Sequence, residues 1–181
     1  MERLFLHICC APCLIYPLES LTQKKFTLVG FFYNPNIHPL GEFNNRKMAL
    51  EDFAQQMNLK VIYPSYRPGE FFQRVGLKRS SSKRCLICWD LRLKRTALEA
   101  KANNFDYFST TLLVSPYQDH DLLKKIGYDI AKEVGIKFYY EDFRTGFRDA
   151  QRKAKQKGIY CQRYCGCIYS KKEQCRVSEK H

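Results

Sequence analysis

The sequence predicts an open parallel α/β sheet with helices on both faces, and three observations carry the prediction. Several short runs are rich in β-branched and aromatic residues and apolar throughout, as strands buried on both faces are. They alternate with stretches of helical spacing, the pattern of a parallel sheet with crossover helices. The first run, Leu4-Phe5-Leu6, ends at once in His7-Ile8-Cys9-Cys10-Ala11-Pro12-Cys13. Reactive side chains at the carboxyl end of a buried strand are where such a fold does its chemistry.

The elements follow in order. Pro12 suits the first turn of a helix, and residues 14–23 form a short one whose regularity Pro17 limits. Residues 26–33 are the second strand, halted by the prolines and asparagines of 34–39. From 41 to 57, Phe43, Met48, Leu50, Phe53, Ala54 and Met57 have approximate helical spacing, and 60–63 is the third strand. Phe71, Phe72 and Val75 indicate a short helix, and Ser80-Ser81-Ser82 a polar loop or helix start. Residues 85–102 then form a long helix, which sets Cys85 and Cys88 on one face at the i, i+3 spacing. Residues 107–110 are the fourth strand, 119–134 a helix and 137–140 the fifth strand; 147–157 is the last helix, stopped by Gly158. The tail 158–181 shows no clear periodicity and is expected to be irregular. Five strands in the order 3-2-1-4-5, the Rossmann-like HUP-type order, would reverse between strands 1 and 4. The first cysteine cluster and the loop 110–117 would then face each other across the crevice.

At 181 residues and 45% hydrophobic the chain is sized for one α/β domain, 1–181, with the cysteine-rich tail 158–181 completing its active site. No run approaches the roughly twenty apolar residues of a membrane span. Glu2, Arg3 and His7 leave no apolar core for a signal peptide. A cytoplasmic protein without membrane contact is expected, and there thiols stay reduced. The net charge of +13, from 31 Lys+Arg against 18 Asp+Glu, implies a polyanionic partner, with nucleic acid foremost. Basic residues flank the cysteine motifs, and Lys83, Arg84, Arg92 and Arg148 are the candidate phosphate contacts. The chain has neither Gly-x-Gly-x-x-Gly nor a P-loop, which argues against a dinucleotide or P-loop nucleotide site.

Nine cysteines in a reducing compartment point to metal or redox chemistry rather than a disulfide framework. Thiolates select zinc, copper(I) or iron-sulfur clusters. Cys9, Cys10, Cys85 and Cys88 can supply the four ligands of an iron-sulfur cluster, which their spacing favours over zinc. A zinc-stabilised, non-catalytic RNA-binding protein is the alternative. Cys13, Cys165 and Cys167 remain. Cys165-Gly166-Cys167 can close a small, strained and therefore readily reduced disulfide, or bind metal together with Cys13. Cys161 and Cys175 are expected to be ordinary free thiols.

Several long motifs in order make the resemblance specific. His7-x-Cys-Cys-Ala-Pro-Cys13, Tyr33-Asn-Pro-Asn-Ile-His-Pro39, Arg84-Cys-x-x-Cys88 with Arg92-Leu93, Ser109-Thr-Thr-Leu-Leu-x-Ser-Pro-Tyr117 and Tyr164-Cys-Gly-Cys167 resemble the epoxyqueuosine reductase QueH family over nearly the whole chain. Cys161 and Trp89 depart from that pattern, where arginine and tyrosine are expected. The resemblance implies a tRNA-modifying enzyme that reductively removes the epoxide oxygen of epoxyqueuosine in the anticodon loop. It also implies a [4Fe-4S] cluster, a second mononuclear iron nearby and an electron donor the sequence does not identify. Cys13, Tyr117, Tyr164, His7 and His38 are the catalytic candidates. An adenylylating tRNA thiolase of similar topology would need a glycine-serine loop after strand 1, where Cys9-Cys10-Ala11-Pro12 stands.

Overall fold

In a computed structural model of the chain, which describes residues 2–178, five parallel strands pair in the order β3-β2-β1-β4-β5. β1 (Arg3–His7) is central, and Leu4, Phe5 and Leu6 are fully buried because both its edges and both its faces are covered. β2 (Thr27–Phe31) and β4 (Tyr107–Thr110) flank it in register, His7 lying opposite both Phe31 and Thr110. The edge strands β3 (Val61–Ile62) and β5 (Lys137–Phe138) are two residues each, shorter than their apolar runs suggest. An edge strand has one partner, and its ladder ends where that partner turns away.

The helices are α1 (Ala11–Gln23), α2 (Leu40–Gln56), α3 (Pro68–Val75), α4 (Ser81–Ala102), α5 (His120–Val134), α6 (Phe147–Gln156) and α7 (Ile168–Ser178). α1 packs against α2 and α6, while α4 packs against α3, α5, β1 and β4. Asp119 caps α5 by accepting the Leu122 N–H at 3.1 Å, and Gly135 ends it at φ +74°, a left-handed conformation suited to glycine. α5 approaches β5 at Gly127, where a Cβ would lie 2.3 Å from the Phe138 ring.

Three expectations are corrected. α1 begins at Ala11 rather than at 14, so Cys10 is its N-cap residue and Cys13 lies in its first turn. α4 starts one turn before Cys85, at Ser81. The tail is irregular only as far as Cys167; α7 follows, its polar sequence masking the helical period. The side chain of Cys175 lies outside the described residues.

Candidate active site

The chain order reverses between β1 and β4, and the two carboxyl ends there carry the site. Leaving β1, the backbone runs through Cys9 and Cys10 into α1. Leaving β4, it forms a 3-10 turn, Thr111–Val114. The sulfurs of Cys9, Cys10 and Cys13 all lie within 4.8 Å of one another, and all three residues are buried. Thr111 joins the two strand ends: its Oγ1 accepts the Cys9 N–H at 3.2 Å and donates to the Cys9 sulfur at 3.4 Å. Gln162, from the far end of the chain, donates to the Cys10 sulfur at 3.0 Å. Hydrogen bonds from Cys10 and Cys13, supported by Thr111, hold the Cys9 thiol well below its usual pKa. Burial raises Cys10, and the bonds to its two neighbours raise Cys13. The triad thus favours a negative charge on Cys9 over its two neighbours. The amino end of α1 adds a favourable field for that charge.

A second group forms around α4. Cys85 and Cys88 share a face and feel the charge of Cys165 and Cys167; burial pushes Cys88 up to about 12, and Arg92 opposes that rise. Cys88 and Cys167 pack with Phe71 and Val75. Arg92 links the two sulfur groups electrostatically, since the charges acting on it belong to Cys88, Cys165, Cys9 and Cys85. It is 1% exposed; its Nε donates to the Cys88 carbonyl at 3.2 Å, and its Nη2 has no hydrogen-bond partner among the described residues. A buried guanidinium without a carboxylate is costly unless an anion faces it. Thiolates or a thiolate-bound metal meet that need. The donor set is wholly sulfur, which suits a soft centre such as an iron-sulfur cluster.

The Cys165-Gly166-Cys167 segment is held from two sides. Arg46 Nη1 and Nη2 donate to the carbonyls of Cys165 (3.0 Å) and Tyr164 (2.9 Å), while its Nε pairs with Glu42 at 2.7 Å. The His38 N–H donates to the Gly166 carbonyl at 2.8 Å. Gly166 has φ +145°, and a Cβ there would meet Asn36 and Ile37 at 3.2 Å, so glycine is required. Both cysteines of the segment are free thiols, Cys165 exposed and Cys167 buried. A cleft of about 590 Å³ runs between the sulfur groups, with Cys9, Cys13 and Cys165 in its walls.

The candidate residues separate by position. His7 is buried, and the Tyr33 carbonyl at 3.2 Å can only accept, so Nε2 carries the proton. Nδ1 then accepts from the Thr110 hydroxyl at 2.9 Å. Burial and Arg92 lower the His7 pKa to about 3, which makes this neutral imidazole a structural link rather than an acid. His38 is buried against Phe71 and Phe72, and the Tyr164 hydroxyl donates to its carbonyl. Tyr117 is exposed on the cleft. Among the basic candidates Lys83 and Arg148 are exposed. Arg84, at 2% exposure, forms a two-pronged pair with Glu173, and Arg92 is buried, so neither presents charge to a polyanion. Both are corrected from phosphate contacts to internal cations. Cys161 stands apart, its thiol donating to the Ile159 carbonyl at 3.4 Å.

Sequence reasoning passed over Arg46, Gln162 and Gln118, whose amide donates to the Cys165 sulfur at 3.9 Å and accepts from Trp89 Nε1 at 3.0 Å. Arg46 had a signal: it falls three residues after Phe43 and four before Leu50, on the buried face of α2. The glutamines lie in aperiodic stretches and had none.

A family model described as epoxyqueuosine reductase QueH matches residues 4–173. A protein of that name from Dehalococcoides mccartyi is 37% identical over 173 residues, covering 95% of this chain and 94% of its own. Its counterpart from Thermotoga maritima is 36% identical over 192 residues, covering 100% and 95%. Among solved structures, one described as a predicted subunit of tRNA methyltransferase from Methanocaldococcus jannaschii has a TM-score of 0.53 at 10% identity, covering 84% of this chain and 76% of its own. At that identity the likeness concerns the fold alone.

Proposed function

The chain belongs to the epoxyqueuosine reductase QueH family, and on that premise we propose that it reductively deoxygenates epoxyqueuosine in tRNA to give queuosine. The reaction consumes two electrons and two protons, turns the epoxide into an alkene and releases water. The observation that carries the reading is the cleft between two sulfur groups, set at the sheet's reversal point in a chain that matches the family from 4 to 173.

In this reading Cys9, Cys10, Cys85 and Cys88 hold a [4Fe-4S] cluster, and Cys13, Cys165 and Cys167 serve a second iron or form a redox pair. When bound, these groups supply an electron store and a Lewis acid for the epoxide oxygen. The protein's own part is separable. Arg92 balances the negative charge of the sulfur site, and Arg46 with Gly166 aims the Cys165 and Cys167 thiols. As a dithiol, that pair releases two electrons and two protons on closing to a disulfide, which matches the stoichiometry of the reduction; an external reductant then reopens it. The positive charge draws the tRNA, whose unpaired anticodon-loop base is accessible to a cleft. In this reading the chain works as one domain whose tail completes the site through Gln162 and Cys165; no helix among the described residues is long and apolar enough to cross a membrane.

Anaerobic iron and sulfide analysis joined to a tRNA deoxygenation assay tests the proposal. Cys85→Ala is expected to lose both the cluster and turnover. Full iron and sulfide in that variant would overturn the ligand assignment. A colourless, zinc-loaded wild type without turnover would favour the non-catalytic RNA-binding alternative.

A further inference from the structure

The cleft has a composition that its sulfur chemistry does not require. Although the chain is rich in charged residues, no acidic one among the described residues lines it, whereas Lys155 and Arg163 do, both exposed. Tyr117 stands in the same wall, 84% exposed, on the loop that leaves β4. An aromatic ring so open to water gains nothing from burial, yet it is braced. It meets Phe147 edge-to-face, with centroids 5.9 Å apart at 85°, and its N–H donates to Ser115 Oγ at 3.3 Å. The loop around it is tied to both sulfur groups. Thr111 contacts Cys9, and Gln118, fixed by Trp89, contacts Cys165. A planar group resting on Tyr117 is therefore held next to the thiols. The volume of about 590 Å³ lies in the range of small-molecule sites and suits one extruded nucleotide.

We infer that Tyr117, propped by Phe147, is a stacking platform for the unpaired target base, and that Lys155 and Arg163 take the phosphates flanking it. The inference rests on the tRNA substrate proposed above and gives Tyr117 a binding role instead of a proton-donating one. Stacking needs the ring and not the hydroxyl, so the two roles separate on conservative substitution.

The test measures binding and single-turnover reduction of an anticodon stem-loop RNA carrying epoxyqueuosine, using the iron-loaded protein. Tyr117→Ala should weaken binding by about tenfold, the loss of one base stack. Tyr117→Phe, which keeps the ring, should keep wild-type affinity. Lys155→Gln and Arg163→Gln should each flatten the salt dependence of binding by about one unit of slope. Tyr117 is too exposed for its replacement to unfold the chain. Wild-type affinity in Tyr117→Ala, or affinity lost as far in Tyr117→Phe as in Tyr117→Ala, would overturn the platform. An epoxide left untouched by iron-loaded wild type would instead overturn the proposed function, and the platform with it.

Discussion

Arg92 shows how one residue can be informative at two levels. Its type and its neighbours suggest a surface cation, yet it sits four residues after Cys88 and seven after Cys85, on the helical face that carries both. That spacing was legible; its burial was not, because nothing local requires a guanidinium to face inward. Removing a buried cation beside an anionic centre makes electron uptake harder. Arg92→Met is therefore expected to keep its iron and sulfide while its midpoint potential moves negative, by about 59 mV for each 1.4 kcal/mol of lost interaction in a one-electron couple. Spectroelectrochemistry checks this, and an unchanged potential would mean that the charge is balanced elsewhere. His7 teaches the opposite lesson. A histidine ending a strand beside three cysteines reads as a proton donor, but its Nδ1 ties β1 to Thr110 of β4 and its Nε2 to the Tyr33 carbonyl just beyond β2.

At the scale of elements, the first half of the tail behaves as part of the fold because α2 holds it. Arg46 binds the Tyr164 and Cys165 carbonyls, and Tyr160 donates to Glu42 at 2.5 Å, so a segment without periodicity acquires a fixed course. Arg46→Met removes the clamp and leaves Glu42 with Tyr160. Faster hydrogen exchange at the His38 amide, which donates to Gly166, and faster alkylation of Cys167 are the expected results. Unaltered labelling of Cys167 would assign its protection to α7 and the apolar cluster around Phe71. The strands and α2, α5 and α6 could be placed from apolar spacing and stop residues to within a few positions. α7 could not, since its sequence Ile-Tyr-Ser-Lys-Lys-Glu-Gln carries no apolar stripe. Its first turns pack through Tyr169 and the Arg84–Glu173 pair, contacts that depend on a distant helix.

The whole molecule follows from strand order. Placing β1 between β2 and β4 brings residue 9 to residue 111 and opens one crevice, and the tail then closes over it from residue 162 onward. That much was readable, because apolar strands alternating with helices leave few topologies. The partition of seven clustered cysteines into a tight triad and a looser group around α4 was not, since it depends on side-chain directions at the ends of elements. The excess positive charge is not confined to the cysteine motifs; Lys155 on α6 and Arg163 in the tail reach the cleft, while several acids pair on the surface. The most direct measurement of the central claim is an anaerobic single turnover of reduced, iron-loaded protein with epoxyqueuosine-containing tRNA, read by mass spectrometry of the digested nucleosides. The expected product is a nucleoside lighter by one oxygen, formed in proportion to iron-loaded chains and absent with Cys9→Ala. Recovery of the intact epoxide from fully loaded wild type, or equal product from Cys9→Ala, would contradict it.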